Sequence, residues 1–416
     1  MKVIVQKYGG TSMGSVDRIH RVATRIKKWS DTDVKLVVVT SAMSGETNRL
    51  ISLAKNFTAD PDARSLDQVL ASGEQVSSGL LTIMLKELGL DAISFCGWQV
   101  KIVTDSVFGK AKIKSIDPSF VRKELSTRNV VVITGFQGID ESSGAITTLG
   151  RGGSDTSAVA LAYALKAEEC LIYTDVDGVY TTDPRVEPNA KRLKTVTFEE
   201  MLEMSSLGSK VLQIRAVGFA GKFKVKTRVL SSFQDPNLSI ADELRESTIV
   251  THEEDEVMEE AVISGIAFNR DEARITVSGV SDTPGVAHKI LGPIANANID
   301  VDMIIQNSSR DGTTDFSFTV HKDELRDAEK VLLDEVPKSL GYGEICSDIN
   351  ICKVSVVGIG MRSNVGVASK MFEILSMEGI NIKMISTSEI KISVVIDDKY
   401  MELAVRALHR AFNLDV

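Results

Sequence analysis

Several features that mark common protein classes are scarce or missing in this sequence. Only four cysteines occur in 416 residues, and no two of them form a C-x-x-C pair, so a disulfide framework is not expected. The five histidines are scattered, which argues against a histidine metal site. No apolar run approaches the ~18 residues of a membrane span. These absences favour an ordinary globular protein of a reducing compartment.

Positive charge is not in excess either. Lys and Arg total 48 against 57 Asp and Glu, which gives a formal net charge of −9. Such a chain has no general attraction to nucleic acid or to anionic membranes. Any phosphate that it binds must be held by a few placed groups. Because the first residues form a strand pattern rather than a signal peptide, we expect a cytoplasmic location.

Residues 1–240 alternate short β-rich runs with helical stretches, which predicts a three-layer α/β domain with a largely parallel sheet. Ligands gather beyond the carboxyl ends of the strands in such sheets. The predicted strands are Val3–Gln6, Lys35–Thr40, Ala92–Phe95, Asn129–Thr134, Cys170–Thr174 and Lys224–Val229, and the predicted helices include Ser15–Trp29, Glu74–Leu88, Asp155–Lys166 and Lys210–Ala220.

The remainder of the chain has a different organisation. Residues 241–261 are strongly acidic and are interpreted as a linker. An internal repeat follows, in which Arg274–Val280 resembles Lys353–Ile359. Each copy has a β-α-β-β-α order, so we predict two ferredoxin-like α+β units at 262–340 and 341–416. A purely structural appendage is the alternative to a regulatory role.

Two glycine-rich loops stand at predicted strand–helix junctions. The first, Lys7-Tyr8-Gly9-Gly10-Thr11-Ser12, combines a lysine with glycines that let a phosphate approach the backbone. It is neither a G-x-x-x-x-G-K-[ST] nor a G-x-G-x-x-G sequence. The second, Leu149–Ser157, places Arg151 among three glycines. Helix capping would explain Ser154 or Asp155, but an arginine fork in this position indicates a carboxylate-binding loop.

Four other segments are weaker signals when each is taken alone. Asp175–Arg185 contains two successive turns after a strand. Ser41–Thr47 offers hydroxyls before a helix, and Ala71–Glu74 places a carboxylate at a predicted helix start. Gly208–Val211 opens another predicted helix with Lys210. Local capping or turn formation would explain each of them singly.

Together, these segments resemble the aspartate kinases, and the C-terminal repeat resembles the paired ACT domains of that family. The resemblance extends over essentially the whole chain. It is carried by Lys7–Ser12, Ser41–Met43, Ser72–Glu74, Gly150–Asp155, Thr174–Tyr180, Asp183–Arg185 and Ser209–Val211, and in the repeat by Ile304–Asn307 and Ile385–Ile390.

The resemblance implies an ATP-dependent kinase that phosphorylates the side-chain carboxylate of aspartate. Lys7, Lys210 and Asp155 would be catalytic, with Asp155 or Asp175 orienting Lys7 or a hydrated metal. Mg²⁺ would be held by ATP phosphates rather than by protein side chains. The implied ATP-binding residues are Lys7, Gly9, Gly10, Thr174, Asp175, Tyr180, Asp183, Arg185, Lys210 and Val211, and the implied substrate-binding residues are Ser41, Thr47, Glu74, Arg151, Gly152, Gly153 and Ser154.

The same resemblance implies feedback regulation by lysine, threonine or both, acting through the ACT units. It also implies a homo-oligomer, or an α₂β₂ assembly if a short regulatory chain starts at Met258. The second effector site departs from the family pattern at Val365, where a proline commonly precedes the glycine. The implied effector-binding residues are Asp282, Gly285, Val286, Ala287, Gln306, Asn364, Val367, Ala368, Asn381, Ile382, Ser388 and Glu389.

Two alternatives remain open on sequence alone. Other members of the amino-acid kinase superfamily, acting on glutamate, N-acetylglutamate, carbamate or UMP, share glycine-rich phosphate loops. A non-catalytic amino-acid sensor built on an inactive kinase is a second alternative. The combination of Glu74, Arg151 and the repeat favours aspartate, and the presence of Lys7 and Lys210 argues against an inactive sensor.

Overall fold

The computed structural model describes residues 2–150, 152–206, 211–252, 262–308, 312–335 and 344–415. The chain divides into two compact units. The first comprises Met1–Tyr180 and Arg192–Glu259, and the second comprises Thr181–Lys191 and Glu260–Val416. No helix of the described residues is long and apolar enough to cross a membrane.

The first unit is built on an eight-stranded sheet with the order β10-β12-β11-β9-β1-β2-β6-β3. All neighbouring pairs are parallel except β11 with β12. A four-stranded sheet, β5-β4-β7-β8, lies in the same unit. The elements in chain order are β1 Val3–Tyr8, α1 Val16–Ser30, β2 Lys35–Thr40, α2 Glu46–Lys55, α3 Ala63–Glu87, β3 Ala92–Phe95, β4 Ile102–Thr104, β5 Ile113–Ile116, α4 Ser119–Thr127, β6 Val130–Thr134, β7 Gln137–Asp140, β8 Ile146–Thr148, α5 Gly153–Leu165, β9 Glu169–Thr174, β10 Thr195–Thr197, α6 Phe198–Ser206, α7 Ile214–Lys222, β11 Thr227–Ser231, α8 Ile240–Arg245 and β12 Thr248–Thr251.

The central strands are apolar on both faces because helices cover both sides of the sheet. Residues 36–39 of β2 and 130–133 of β6 are fully buried. Helices α1 and α3 pack on one face in a shared apolar cluster, and α5 packs against β1 and β9. This is the predicted three-layer arrangement, and the fold prediction is confirmed. The carboxyl ends of β1, β2, β6 and β9 therefore meet at one edge.

Two differences from the sequence prediction concern helix and linker boundaries. Helix α3 begins at Ala63, where Asp62 caps it by accepting a hydrogen bond from the Ser65 amide, rather than at Glu74. In addition, part of the segment interpreted as an acidic linker forms α8 and β12, and β12 joins the large sheet. The acidic residues of α8 are followed in sequence by the β-rich run Thr-Ile-Val-Thr, which forms β12. The sheet partners of β12 are distant in sequence, so the local acidic composition did not reveal this strand.

The second unit contains two four-stranded antiparallel sheets, with the orders β15-β16-β14-β17 and β13-β18-β20-β19. Each sheet is covered by a pair of helices, α9 with α10 and α11 with α12. The elements are β13 Gly265–Asn269, β14 Glu272–Ser281, α9 Val286–Asn296, β15 Val301–Ser308, β16 Thr313–His321, α10 Leu325–Glu335, β17 Glu344–Asp348, β18 Ile351–Val357, α11 Val367–Met377, β19 Met384–Thr387, β20 Lys391–Asp397 and α12 Met401–Ala411.

The two repeats exchange edge strands. Strand β13, which precedes the first repeat, pairs with β18 of the second sheet, and β17, which was assigned to the second repeat, pairs with β14 of the first. A boundary at residue 341 therefore does not separate the two sheets. The sequence did not reveal this exchange, because pairing between residues some seventy to ninety positions apart leaves no local sequence pattern.

Residues 181–191 belong to the second unit although they lie within the kinase part of the sequence. The Ile266 amide donates to the Thr181 carbonyl at 2.7 Å, and Thr181 Oγ1 lies 2.8 Å from His409 Nε2. The Arg406 guanidinium donates to the Val186 carbonyl, and Val186 is buried in the apolar cluster that contains α11 and α12. This short segment is thus an integral part of the second unit's core.

Candidate active site

Strand β1 delivers a lysine and two glycines to the edge where the strand ends meet. The Gly9 amide donates to the Tyr173 carbonyl at the end of β9. A Cβ atom on Gly10 would lie 3.1 Å from the Ala42 carbonyl oxygen, and one on Gly9 would lie 3.3 Å from Lys7 Nζ. Both glycines therefore let the loop pack closely while the space beside the ammonium stays clear.

Lys7 is held by Asp155. Lys7 Nζ lies 2.5 Å from Asp155 Oδ1, and each side chain is 9% exposed. Asp155 lies in the first turn of α5, which follows Gly152 in a left-handed conformation with φ of 67°. Asp175, the other aspartate considered for this role, is exposed and accepts a hydrogen bond from its neighbour Thr174. The structure thus pairs Asp155 with Lys7 and fixes the ammonium at the mouth of the loop.

A continuous series of contacts leads from this ion pair to Glu74. Ser154, next to Asp155, places its Oγ 2.7 Å from the Oγ of Ser41. The following residue, Ala42, donates its amide to Glu74 Oε1 at 2.9 Å. The end of β2, the start of α5 and the middle of α3 therefore meet at one place.

Glu74 lies in the middle of α3, so its predicted position at a helix start is wrong. The preceding residue, Gly73, lies inside the same helix and serves close packing. A Cβ atom there would lie 2.9 Å from the Ala42 Cβ and 3.5 Å from Glu46 Cγ at the start of α2. The same contact brings α2 against α3, and Thr47 lies half-buried in the first turn of α2.

Among the described residues, the carboxylate of Glu74 has no countercharge. Its residue is 3% exposed, and among the described residues no cation lies within ion-pair distance of it. The Oε2 atom of Glu74 is buried and has no hydrogen-bond partner among the described residues. Burial raises the pKa of Glu74 to about 7, although the Ala42 amide favours the charged form. A buried, uncompensated carboxylate of this kind suits a cationic group on a ligand.

Strand ends on the other side of β1 carry the residues expected at the nucleotide. The Thr174 carbonyl accepts hydrogen bonds from the amide and the hydroxyl of Ser232, and Ser12 Oγ donates to Ser232 Oγ at 2.8 Å. Tyr180 donates its hydroxyl to Asp177 at 2.9 Å. Ser232 joins the ends of β1, β9 and β11, and sequence reasoning missed it because these contacts span more than fifty residues.

The other predicted residues fall into three groups. Asp183 and Arg185 lie in the second unit and form an ion pair with each other at 2.6 Å. Val211 is half-buried in the turn before α7. Arg151, Lys210 and Met258 lie outside the described residues. Among the described residues, no group of three His, Cys, Asp or Glu side chains is arranged to hold a metal ion.

The expected effector residues lie at corresponding places in the two repeats. Gly285 and Gly366 are left-handed, with φ of 92° and 97°, and each precedes a helix that begins at Val286 or Val367. In the second repeat, an open pocket at this turn is lined by Asn364, Val365 and Val367, among others. Ala287 and Ala368 are half-buried in the first turns of these helices, Ile382 is half-buried before β19, and Asp282, Gln306, Asn381, Ser388 and Glu389 are exposed.

Comparisons with known proteins agree with this architecture. The profile of the amino acid kinase family matches residues 2–231, and ACT domain profiles match residues 273–335 and 354–412. The class defined by fold and site is therefore an amino acid kinase with two ACT domains.

Relatives that match over nearly their whole length show which family within this class the chain belongs to. The chain is 60% identical to the aspartate kinase of Pseudomonas putida over 415 residues, which cover 100% of this chain and 98% of the relative. It is 49% identical to the aspartokinase of Helicobacter pylori over 416 residues, which cover 99% and 100% of the two chains. The structure of E. coli aspartokinase III in complex with aspartate and ADP matches with a TM-score of 0.80 at 25% identity, covering 99% of each chain. The chain belongs to the aspartate kinase family, and it is a phosphotransferase with a carboxyl group as acceptor.

Proposed function

We propose that this enzyme transfers the γ-phosphoryl group of ATP to the side-chain carboxylate of L-aspartate, forming ADP and 4-phospho-L-aspartate. The observation that carries this proposal is the series of contacts from Lys7 through Asp155, Ser154, Ser41 and Ala42 to Glu74. It joins a fixed positive charge beside a glycine loop to a buried carboxylate that has no countercharge among the described residues. The first suits a phosphate, and the second suits an amino-acid ammonium.

The chemistry requires little from the protein beyond charge and position. The acceptor carboxylate is ionised at neutral pH, so no general base is needed for its attack on phosphorus. Lys7, held by Asp155, would offset negative charge on the transferring phosphate, with Lys210 as a second cation. Mg²⁺ held by the ATP phosphates would supply further charge neutralisation. Gly9, Gly10, Thr174, Asp175, Tyr180 and Val211 would line the nucleotide.

The aspartate would be held at both of its α-substituents. Glu74 would receive the α-ammonium, which would supply the positive charge that the buried carboxylate lacks. Arg151 would form a bidentate pair with the α-carboxylate. Ser41, Thr47 and the 152–154 backbone would complete the contacts and direct the side-chain carboxylate toward Lys7.

The ACT units would regulate this reaction by binding lysine, threonine or both. One solved structure of E. coli aspartokinase III is described as a complex with lysine and aspartate in the T-state, and it matches this chain with a TM-score of 0.75 at 26% identity, covering 99% and 100% of the two chains. The proposed effector turns of this chain are 281–287, which contains Asp282, and 361–368, which contains Asn364. Homo-oligomerisation through the ACT units, a short chain from Met258, a role in lysine, threonine and methionine synthesis, and a cytoplasmic location belong to the same proposal.

The reaction is tested by trapping the acyl phosphate with hydroxylamine, using Mg-ATP and L-aspartate, for the wild type and Arg151→Ala. Arg245→Ala, which removes an exposed arginine of α8, is the matched control. We expect aspartate-dependent hydroxamate from the wild type and the control, and its collapse in Arg151→Ala. A folded wild type that uses glutamate or N-acetylglutamate in place of aspartate would contradict the proposal.

Regulation needs its own assay. The initial rate is measured at subsaturating aspartate with lysine, threonine, or both at millimolar levels. We expect inhibition by at least one of these combinations, and weaker inhibition when Asp282 is replaced by alanine. Unchanged rates in all three conditions would remove the regulatory part of the proposal and leave the reaction untouched.

A further inference from the structure

Helix α3 carries a second buried carboxylate, Asp67, seven residues before Glu74. Residues seven apart lie on the same face of a helix, about 10.5 Å apart along its axis. Asp67 is 0% exposed and uses both of its oxygens. Oδ2 accepts from the Thr148 and Gly109 amides at 2.8 and 2.9 Å, and Oδ1 accepts from Thr148 Oγ1 at 2.6 Å.

These three hydrogen bonds anchor the chain immediately before the 149–153 loop. Thr148 is the last residue of β8, and its carbonyl accepts from the Ala111 amide at 2.9 Å. A Cβ atom on Gly150 would lie 3.1 Å from the Gly109 carbonyl oxygen. Asp67 therefore clamps two segments, 109–111 and 148–150, against α3.

Arg215, at the start of α7, holds the same segments from the other side. Its guanidinium donates to the Leu149 carbonyl at 2.6 Å and to the Ala111 carbonyl at 3.0 Å. Close by, a Cβ atom on Gly152 would lie 2.1 Å from Gln213 Cγ, so only glycine fits there. The backbone on both sides of Arg151 is thus fixed by groups from α3 and α7.

We propose that Asp67 and Arg215 are positioning residues for aspartate binding, which set the separation between Glu74 and the loop that carries Arg151. This inference rests on the function proposed above. The α-ammonium and α-carboxylate of an amino acid share one carbon, so their two partners must be held at a fixed spacing. Because α3 carries both Glu74 and Asp67, one rigid helix supplies that spacing.

The test compares kinetic constants for aspartate and for ATP in Asp67→Ala, Asp67→Asn and Arg215→Met, with the exposed Asp17→Ala as control. Asp67→Ala leaves the buried Thr148 amide and the partly buried Gly109 amide without their acceptor, so we expect the aspartate KM to rise about tenfold while the ATP KM stays within about twofold. Asp67→Asn should largely restore the aspartate KM, since its oxygen can accept from both amides and its NH₂ can donate to Thr148 Oγ1.

An unchanged aspartate KM in folded Asp67→Ala would overturn the inference, as would equal rises in both KM values. If Asp67→Ala does not fold, the partly exposed Arg215→Met decides by the same criterion. A wild type without aspartate-dependent turnover would overturn the proposed function itself. Normal wild-type turnover with unaltered variants would overturn only the positioning roles.

Discussion

Two buried glutamates, one in each unit, differ in what surrounds them. Glu74 in the first unit accepts one backbone hydrogen bond and has no cation beside it among the described residues. Glu272 in the second unit lies 2.6 Å from the buried ammonium of Lys353, which also pairs with Asp302. Burial raises the pKa of both carboxyls, but at Glu272 the Lys353 charge opposes that rise.

This difference in surroundings distinguishes a carboxylate suited to binding a ligand from one that stabilises the fold. Lys353 lies on β18 of one sheet, whereas Glu272 and Asp302 lie on β14 and β15 of the other, so the ionic cluster joins the two ACT sheets. Burial alone would lower the pKa of Lys353, but the two carboxylates together raise it and keep it charged. In the part of the chain that the structure describes, Glu74 has no such internal partner, which is the arrangement expected where a ligand supplies the missing charge.

The largest expected effect comes from replacing Lys7 in the first unit. Lys7→Met should lower kcat by about 10³-fold, because a fixed cation would be lost from the proposed site of phosphoryl transfer. Steady-state kinetics with saturating substrates measure this. Lys27→Met, at an exposed position of α1, is the matched control. A kcat within tenfold of wild type would show that Lys7 does not act on the transferring phosphate.

The equivalent change in the second unit should affect stability instead. Lys353→Met leaves Glu272 buried without its cation, so we expect a loss of about 3 kcal/mol in the free energy of unfolding of that unit. Urea unfolding followed by circular dichroism gives this value, and kcat should stay within about threefold of wild type under native conditions. If stability were unchanged while kcat collapsed, the distinction between the two units would be wrong.

Stability at Glu74 should depend on pH in a direction opposite to that of an ordinary glutamate. Its folded pKa of about 7 lies above the unfolded value of 4.5, so its contribution is complete below pH 4.5 and is lost as the pH rises through 7. Glu74→Gln should therefore gain about 2 kcal/mol more stability over wild type at pH 8 than at pH 5. Thermal unfolding without ligands measures the gain, and Glu87→Gln, exposed on α3, should show no such trend.

The smallest effect is expected at the exposed member of the second unit's ionic cluster. Asp302 has a half-exposed side chain, so Asp302→Asn should cost less than about 1 kcal/mol. Glu272→Gln, at a side chain only 5% exposed, should cost more. Urea unfolding of both variants under the same conditions measures the two losses in the free energy of unfolding. A larger loss for Asp302→Asn than for Glu272→Gln would mean that solvent screening does not determine how much each carboxylate contributes.

Local sequence patterns predicted strands correctly where the residues of the strand alone carry the signal. Strands Lys35–Thr40 and Ala92–Phe95 were predicted with the bounds that the structure shows, because continuous apolar runs mark buried parallel strands. The start of α3 was missed, since the predicted helix Glu74–Leu88 covers only the second part of Ala63–Glu87. The exchange of β13 and β17 was missed because strand pairing between repeats has no local signature.

In the candidate site, too, sequence reasoning identified residues that belong to a recognisable motif and missed those that do not. Lys7, Asp155, Ser41, Ser154 and Glu74 were selected from sequence through glycine-rich loops and family resemblance. The structure pairs Lys7 with Asp155 and Ser41 with Ser154, and it links Glu74 to them through the Ala42 amide. Asp67, Arg215 and Ser232 were not selected. Their hydrogen bonds span from about forty to two hundred and twenty residues and use ordinary helix and loop positions. Only the folded chain shows that they support the loops.

The central claim is that the uncompensated Glu74 carboxylate receives the ammonium of aspartate. The most direct test compares kcat/KM for L-aspartate and for succinate, which lacks the amine, in the wild type and Glu74→Gln. We predict that the wild type prefers aspartate by about 10³-fold and that Glu74→Gln loses most of this preference, since the buried charge that distinguishes the two substrates is gone. An unchanged preference in the folded variant would contradict the account.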